Sequence, residues 1–386
     1  MTLNPHISPR GIYVHIPFCR KKCGYCSFYS LPEREHLLSA FIEAILSEAR
    51  SYSGLSFKTL YLGGGTPGLL GPGNLRILMD GLNTIFNLKN LAESTIELNP
   101  DSTTADFLRT AKESGFNRLS IGVQSLSDDE LAASGRLHTA DQALDTIARA
   151  GEIGFQNLSV DVMAGLPHQN NTSLAETIRR LLKMNIHHLS LYCLSLENNS
   201  TMAEHPSEYL PTDDDQADLF ELAAGQLKES GFLHYEISNF SRPGHRCRHN
   251  LNYWRGGEYL GLGPAAASHL TGERWKNRDD LDLYLQLPLN QLEEREKLNP
   301  AAKAAEEAML RLRLLNEGLD PRIFATRFGN ETVMSLTKRL TRMTAAGDLV
   351  TERNTFRLSP AKILVSNPIL AQIVEPLSIS STCHES

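Results

Sequence analysis

The sequence predicts an α/β protein, with an open, partial (β/α)6 barrel followed by a smaller winged-helix-like domain. From residue 11 to about residue 240, six short apolar runs alternate with six longer amphipathic segments. This alternation is typical of parallel strands covered by helices. Six such units are too few to close an eight-stranded barrel, so the predicted barrel has an open side. Beyond residue 300 the pattern turns helical and contains one two-stranded segment.

The individual elements follow from the spacing of apolar residues. Short apolar runs predict strands at Gly11–Ile16, Thr59–Leu62, Thr95–Leu98, Arg118–Ile121, Leu158–Val162 and His188–Tyr192. Helical periodicity predicts helices at His36–Tyr52, Asn74–Phe86, Thr104–Ser114, Ala140–Gly154, Ser173–Lys183 and Asp213–Ser230. Functional side chains of such a fold are expected at the carboxyl ends of the strands.

Four regions are predicted along the chain. Residues 1–240 form the barrel, 241–295 a connecting segment, 296–375 a helical winged domain and 376–386 a flexible polar tail. The connecting segment is rich in aromatic residues, glycine and histidine, which favours strand, loop and turn over helix. In the winged domain, helices at Glu331–Ala346 and Ser359–Ala371 flank a two-stranded wing with the sequence LVTERNTFRLSP.

Composition limits the class of protein. The chain has 386 residues, of which 41% are hydrophobic and 22% charged, as in an ordinary water-soluble protein. No apolar run of about 18 residues is present to span a membrane, and the N-terminus lacks the apolar core of a secretory signal. The net charge of −7 argues against nucleic acid as the main partner. Six cysteines, three of them in one loop, favour a reducing cytoplasm over a disulfide framework.

Three closely spaced cysteines are the most informative feature of the chain. Cys19, Cys23 and Cys26 have the spacing C-x3-C-x2-C. A structural zinc site needs four ligands, and electron-transfer clusters are held by four cysteines. Three thiolates can instead hold three corners of a [4Fe–4S] cube and leave the fourth iron open to a small molecule. A zinc knuckle is the alternative interpretation.

Polar residues at successive strand ends form a second group of candidates. The glycine-rich run Gly63–Pro67 directly follows the second strand, where it could offer amide donors to a carboxylate or ribose. A phosphate-binding Walker loop is excluded, because no Gly-Lys-Ser/Thr follows. Later strand ends contribute Glu97, Gln124, Arg136 and Asp161. Together these groups suit a polar, zwitterionic ligand that carries a ribose.

The run HNLNYW, which begins at His249, is the third unusual feature. Histidine and cysteine are both axial ligands of haem iron, and Cys247 lies two residues upstream. Tyr253 and Trp254 could pack against a macrocycle. The alternative is a loop that packs its aromatic residues onto the barrel, with His249 bonded to the backbone.

In order along the chain, YVHIPFCRKKCGYCSFYS, GGGTP, ELNP, GVQS, GLP and HNLNYW resemble the motifs of the oxygen-independent coproporphyrinogen III oxidase-like radical SAM family. The match spans residues 10–375 and is most similar to the haem-chaperone subfamily. It implies a radical SAM barrel and the family's C-terminal domain. Phe28 stands where the decarboxylating enzymes have a further cysteine, and the long segment that precedes their barrel is missing. Ser27 stands where the subfamily usually has aspartate.

The resemblance also implies the roles of particular residues. Cys19, Cys23 and Cys26 would hold the [4Fe–4S] cluster, and His249 would bind haem. Contacts to S-adenosyl-L-methionine (SAM) would fall on Tyr13, Tyr25, Gly64, Gly65, Thr66, Glu97, Gln124, Arg136 and Asp161.

The function implied by the resemblance is that of a cytoplasmic haem chaperone. Such a protein binds haem and a SAM-ligated [4Fe–4S] cluster and transfers haem to acceptors such as respiratory haem proteins. The alternative is a radical SAM enzyme acting on a porphyrin, by oxidative decarboxylation like that of coproporphyrinogen III dehydrogenase. A cluster-dependent homodimer and a peripheral membrane association are further expectations, whereas nucleic acid is not an expected partner.

Overall fold

One large sheet dominates the fold. The computed structural model describes residues 10–198, 200–289 and 292–374, and within these ranges the sheet has twelve strands. In chain order they are β1 Gly11–Ile16, β2 Thr59–Gly64, β3 Glu93–Leu98, β4 Arg118–Gln124, β5 Leu158–Ala164, β6 His188–Cys193, β7 Leu233–Glu236, β8 Asn239–Ser241, β9 Tyr259–Leu262, β10 Ala267–Leu270, β11 Glu273–Asn277 and β12 Leu292–Lys297. Across the sheet their order is β12-β11-β10-β9-β1-β2-β3-β4-β5-β6-β8-β7.

The central strands, β9 and β1 to β6, all run parallel. From β1 to β6 the spatial order equals the chain order, so right-handed crossovers place every connecting helix on the same face. A sheet wound in this way curls towards a barrel with its helices outside. The barrel stays open, since β1 pairs with β9 and β6 pairs with β8. The predicted partial barrel is confirmed, and β9 adds a parallel strand that the sequence did not predict.

The two faces of the central strands differ in polarity. In β1, Ile12, Val14 and Ile16 are fully buried in the apolar core. Side chains alternate along a strand, so Tyr13 and His15 point to the other face, where they share a hydrogen bond. The same alternation in β3, β4 and β5 directs ionisable side chains into the barrel.

The helices of the barrel region begin and end close to their predicted positions. Thr139, Asn170 and Thr212 each accept a hydrogen bond from the backbone N–H three residues further on, which is a strong local start signal. The helices of this region are α1 Leu38–Arg50, α2 Gly71–Phe86, α3 Ala105–Glu113, α4 Asp128–Ala133, α5 Ala140–Glu152, α6 Asn171–Leu181, α7 Thr201–Glu204, α8 Asp213–Glu229, α9 Arg248–Trp254 and α10 Leu281–Gln286.

The structure corrects the prediction for the connecting segment. The HNLNYW run was expected in a loop or strand, but it forms helix α9. The residue before this helix is Cys247, whose thiol contacts the Asn250 backbone but whose residue type is not one of the usual N-terminal caps. Instead the carboxylate of Glu93 in β3 accepts hydrogen bonds from the backbone N–H groups of Arg248 and His249. Because this N-terminal cap comes from a residue more than 150 positions away, local sequence could not reveal it.

Residue contacts divide the chain into two units. Among the described residues, the first unit runs to Tyr253 and includes Gly257–Lys297, and the second contains Trp254–Gly256 and continues from Leu298. The second unit consists of α11 Pro300–Arg311, α12 Pro321–Phe328, α13 Asn330–Ala345, the hairpin β13 Leu349–Glu352 and β14 Thr355–Leu358, and α14 Ser366–Ala371. The two-stranded wing is therefore present where it was predicted. The predicted tail, 376–386, lies outside the described residues.

None of the helices in the described part of the chain has both the length and the apolar character required to cross a membrane.

The buried carboxyl group of Glu48 connects helix α1 to three residues that follow β9 in the chain. Glu48 is 2% exposed. Its carboxyl group accepts hydrogen bonds from the Gly263 amide at 2.9 Å, the Tyr284 hydroxyl at 2.5 Å and the Asn277 side chain at 2.7 Å. Burial raises the pKa of Glu48 to about 7, although these hydrogen bonds oppose the shift.

Because the pKa of this carboxyl group is raised, we predict a measurable pH dependence of the free energy of unfolding. The folded state binds the Glu48 proton more tightly than the unfolded state does, so its contribution is complete at low pH and is lost as pH rises through about 7. A shift of this size corresponds to about 3 kcal/mol. Between pH 5 and roughly 7.5, we expect the unfolding free energy of Glu48→Gln to fall less steeply than that of the wild type.

Urea unfolding across this pH range is the appropriate measurement. Glu43→Gln, an exposed change on the same helix, is the matched control and should keep the wild-type slope. Equal slopes for the wild type and Glu48→Gln would contradict the prediction.

Candidate functional site

The three cysteines lie on one loop at the carboxyl ends of the parallel strands. Cys19 directly follows β1 in a short stretch, Phe18–Cys19, that pairs with Leu31–Pro32. The backbone of Gly24 fastens the loop on two sides, donating to the Ser134 carbonyl at 3.1 Å and accepting from the Met202 amide at 2.8 Å. All three cysteines are free thiols of intermediate exposure. The loop is therefore held in place while its sulfur atoms stay accessible.

The position of the three thiols fits a metal cluster, but the acidity of two of them does not. Burial raises the pKa of Cys19 and of Cys26, whereas ligation requires thiolates. Arg136 supplies a compensating positive charge, with Nη1 3.7 Å from Cys23 Sγ. Within the described residues, no three Cys, His, Asp or Glu side chains converge on one metal position. A cube differs from such a site, because each of its thiolates binds a different iron.

The backbone amides of the glycine-rich turn after β2 were expected to be free to bind a ligand, but they are not. The Gly64 amide donates to Glu97 Oε2 at 3.1 Å, and those of Gly65 and Thr66 donate to the carbonyls of Ile16 and Phe18. The amide donors of Gly64, Gly65 and Thr66 are therefore already used, so that carbonyl oxygens, Cα hydrogens and the Thr66 hydroxyl are the groups that the turn can offer to a ligand. Its glycines are nonetheless required, since a Cβ at Gly65 would lie 2.4 Å from the Phe18 carbonyl oxygen.

Glu97 and Asp161 lie inside the barrel, as the strand pattern predicted. Tyr61 donates a 2.7 Å hydrogen bond to Glu97 Oε1, and Ser120 donates one of 3.3 Å to Asp161 Oδ1. Burial raises the pKa of Glu97 to about 7, and the neighbouring Asp161 raises it further, against the hydrogen bond from Tyr61. Burial likewise raises the pKa of Asp161, against its hydrogen bond with Ser190.

A chain of hydrogen bonds joins the glycine-rich turn to the cysteine loop. Asn99, directly after β3, donates to Thr66 Oγ1 at 3.1 Å. Its own oxygen accepts from Arg136 Nη2 at 2.9 Å, and the same nitrogen donates to the Gly122 carbonyl at 2.7 Å. Since the other guanidinium nitrogen reaches Cys23, Arg136 connects the cysteine loop with the ends of β3 and β4. The sequence suggested Arg136 as a ligand contact, but it also organises the site.

Gln124 ends β4 in an unusual backbone conformation. Its φ is +64°, a region that residues other than glycine rarely occupy. The pairing of β4 with β5 shifts register between Gly122 and Gln124, as in a β-bulge. Strain of this kind is concentrated at functional sites, which agrees with the expectation that Gln124 faces a ligand.

The two predicted tyrosines occupy different surroundings. The Tyr13 hydroxyl shares a hydrogen bond with His15 Nδ1 at 3.0 Å, and His15 Nε2 bonds with the Tyr29 carbonyl at 2.8 Å. Tyr25, in the cysteine loop, packs against buried apolar side chains that include Met163 and Met202. Its phenol also lies close enough to Arg136 to form a hydrogen bond.

Several site residues were not found from the sequence. His15 and Tyr61 lie on the inward face of predicted strands, at alternating positions that could have marked them as interior. Asn99 lies within the ELNP run, which was noticed only for its glutamate. Arg118 was treated as the first residue of a strand, yet its side chain is only 2% exposed. A positive charge in an otherwise apolar strand was the available signal.

His249 lies at the opposite end of the barrel from the cysteine loop. Its Nδ1 bonds at 2.8 Å with the hydroxyl of Thr59, the first residue of β2. Its Nε2 bonds at 2.8 Å with the Tyr253 hydroxyl. The side chain is 1% exposed, with its ring centroid 5.1 Å from that of Tyr61. A Cβ at Gly11 would lie 3.0 Å from the imidazole, so α9 is fitted closely against the strand starts.

This geometry argues against His249 as a haem ligand, an assignment that stays a prediction and that the His249→Ala variant tests. A ligand to iron needs a free ring nitrogen with an open approach, and here both nitrogens are engaged inside the protein. Burial lowers the pKa of His249 to about 3, so the ring is neutral at physiological pH. The alternative of aromatic packing onto the barrel is the one the geometry favours, although the bonds go to side chains and not to the backbone.

The cap of α9 belongs to a larger buried polar network. Besides capping the helix, Glu93 accepts a 3.5 Å contact from the Cys247 thiol. The Cys247 amide in turn donates to the Tyr235 hydroxyl, which also bonds with His188. The guanidinium of Arg118 lies in the field of Glu93 and of Tyr235. Burying a carboxylate beside a guanidinium reduces the cost of removing both from water.

Comparison with known proteins agrees with this architecture. The model of the radical SAM superfamily matches residues 13–181. A haem chaperone HemW from Lactococcus lactis subsp. lactis is 33% identical over 309 residues, which is 79% of this chain and 82% of the relative. The haem chaperone HemW of Synechocystis sp. is 32% identical over 98% of this chain and 99% of its own length.

A solved structure shows the same fold. Coproporphyrinogen III oxidase (HemN) from Escherichia coli, a radical SAM enzyme, superposes with a TM-score of 0.83 over 95% of this chain and 90% of that one. At 23% identity this similarity concerns the fold alone. With relatives above 30% identity along most of its length and a matching superfamily model, the chain belongs to the HemW family of haem chaperones within the radical SAM superfamily.

Proposed function

We propose that this protein binds haem and passes it to haem-accepting proteins, and that it carries a [4Fe–4S] cluster with SAM at the carboxyl end of its barrel. The identity with HemW haem chaperones over nearly the whole chain is the observation that carries this proposal. The soft thiolate ligands of the cysteine loop suit an iron–sulfur cluster.

In this proposal Cys19, Cys23 and Cys26 hold the cluster. When bound, a SAM-ligated cluster supplies one-electron chemistry, or serves as a structural and regulatory group. Arg136, with Nη1 3.7 Å from Cys23 Sγ, keeps the loop against the strands. Oxygen acceptors suit the amino group and ribose hydroxyls of SAM, and such acceptors are found in the carbonyls of the glycine-rich turn and in the carboxyl groups of Glu97 and Asp161. Tyr13, Tyr25 and Gln124 complete the proposed SAM surroundings.

The proposal includes three finer expectations. Haem binds reversibly and leaves with an acceptor such as a respiratory haem protein. The cluster promotes a homodimer of this chain. The protein acts in the cytoplasm and contacts the membrane peripherally, where membrane-bound acceptors reside. His249 is left out of the haem site because its ring nitrogens are engaged within the barrel.

A second candidate is a radical SAM enzyme that acts on a porphyrin. The buried carboxyl groups of Glu97 and Asp161 inside the barrel favour it, because chemistry on a bound substrate uses ionisable groups that are shielded from water. Phe28 counts against decarboxylation of coproporphyrinogen III in particular, since it replaces the further cysteine of those enzymes and is 66% exposed.

Anaerobic reconstitution followed by haem titration tests the proposal. The protein is loaded with iron and sulfide, titrated with haem under visible spectroscopy, and then mixed with apomyoglobin as an acceptor. We expect a Soret band that saturates at about one haem per chain and then shifts to that of myoglobin. Absence of saturable binding, together with release of 5′-deoxyadenosine in the presence of coproporphyrinogen III, would refute the chaperone and establish the enzyme.

A further inference from the structure

An open groove lies between α12 and α13 of the second unit. Its volume is about 1000 Å³, which is at the upper end of the range for sites that bind compact ligands. Its apolar lining includes Ala325, Val333 and Met334, and its cationic lining consists of Arg322, Lys338 and Arg342. None of the lining residues in this described part of the chain is a carboxylate.

Helix α13 has two different faces. Val333, Leu336 and Leu340 are buried in the core of the unit. On the groove side, Met334 and Lys338 are spaced by one helical turn, and the Met334 side chain is 57% exposed. Methionine is flexible and polarisable, so it adapts to the shape of a partner. Met334 belongs to a contiguous apolar lining of the kind that marks a binding surface, which also includes Ala325 and the methyl groups of Thr326, Thr337 and Thr341.

The charge of the groove indicates the kind of partner. Helices α12 and α13 contain the cations Arg322, Arg327, Lys338, Arg339 and Arg342 against the single carboxylate Glu331, a local charge of 5 − 1 = +4. The whole chain, by contrast, has a net charge of −7. Asp320 pairs with Arg322, and no ion pair is formed by the Lys338 or Arg342 side chains among the residues that the structure describes.

We propose that this groove binds an acidic amphipathic helix of the protein that receives haem. This inference rests on the proposed haem-transfer function. The apolar side chains of such a helix would contact Met334 and Ala325, and its carboxylates would meet Lys338 and Arg342. Apolar anchors at one-turn spacing between charged flanks are the usual mode by which grooves recognise helices.

Nucleic acid is the less favourable occupant. A helix that reads DNA needs polar side chains for base edges and several phosphate contacts. Here the lining includes the exposed Met334 and the partly exposed Ala325, and the cations Lys338 and Arg342 form no ion pair with the residues that the structure describes. The apolar lining makes no favourable contact with a phosphate backbone, whereas it can pack against the leucines of an amphipathic helix.

Fluorescence anisotropy on the full chain tests this inference. The probe is a labelled 16-residue peptide with leucines at helical spacing and glutamates on both flanks, and the control peptide has lysines in place of the glutamates. We expect saturable binding of the acidic peptide that weakens with salt. The double variant Lys338→Glu/Arg342→Glu should weaken binding at least roughly tenfold, and Met334→Glu should have a similar effect.

Arg353→Glu is the matched control, because Arg353 is an exposed cation at the tip of the hairpin in the same unit. It should leave binding within about twofold of the wild type. Equal binding of acidic and basic peptides, tighter binding of duplex DNA than of the acidic peptide, or no effect of the double variant would each overturn the inference. Haem titration of the same variants separates this result from the proposed function, since the groove variants should bind haem normally.

Discussion

Replacing Cys23 with serine should abolish assembly of the iron–sulfur cluster. A serine hydroxyl at this position cannot supply the soft thiolate that iron–sulfur sites require. The loop should keep its position, because the Gly24 backbone bonds to Ser134 and Met202 do not involve the side chain. We expect the reconstituted wild type to hold about four irons and four sulfides per chain, and Cys23→Ser to hold almost none. Iron and sulfide analysis with visible absorption makes the measurement.

The chain provides a matched control for this result. Cys193, at the end of β6, is also a free thiol of intermediate exposure, but it lies outside the cysteine loop. Cys193→Ser should reconstitute like the wild type. Full iron content in Cys23→Ser, or an equal loss in Cys193→Ser, would show that the loop is not the cluster site. Haem titration of the cluster-free variant would then reveal whether haem binding depends on the cluster.

Replacing His249 with alanine should destabilise the fold without removing a haem ligand. The substitution removes two buried hydrogen bonds and leaves the Thr59 and Tyr253 hydroxyls without their partner. It also leaves a cavity against Tyr61. Together these losses should cost about 2–4 kcal/mol of unfolding free energy. Urea unfolding, monitored by circular dichroism, measures the change.

The His249→Ala variant also decides whether His249 stabilises the fold or binds haem. If His249 is a brace, folded His249→Ala should bind the same number of haems per chain as the wild type, with an unaltered Soret maximum. His36→Ala, an exposed histidine in the same unit, controls for the loss of an imidazole and should change neither stability nor haem binding. Unchanged stability of His249→Ala together with a lost Soret band would restore the assignment of His249 as the haem ligand.

The buried guanidinium of Arg118 interacts electrostatically with carboxyl groups towards both ends of the barrel. Burial raises the pKa of Glu97 and of Asp161, and Arg118 opposes this shift on the side of the cysteine loop. Arg118 also lies in the field of Glu93 towards α9. A fully buried arginine needs such acidic neighbours, since an isolated charge inside a protein is very unfavourable.

Much of the fold and the cluster loop was determined by sequence alone. Apolar periodicity and local capping residues such as Thr139 and Thr212 depend on neighbours a few positions away, so the six strands and their helices could be read directly. The cysteine spacing predicts the cluster loop for the same reason, because ligands on one short loop are necessarily close together.

Only the tertiary structure decided the roles that depend on distant partners. Helix α9 begins at Arg248 because Glu93 in β3 caps it, and the ring of His249 is held inside the barrel because its two nitrogens bond with Thr59 and Tyr253. The amides of Gly64 to Thr66 are used by Glu97 and by the chain after β1, so they are not free for a ligand. Hydrogen-bond donors and acceptors are satisfied across the whole fold, and a local pattern cannot show which distant group will satisfy them.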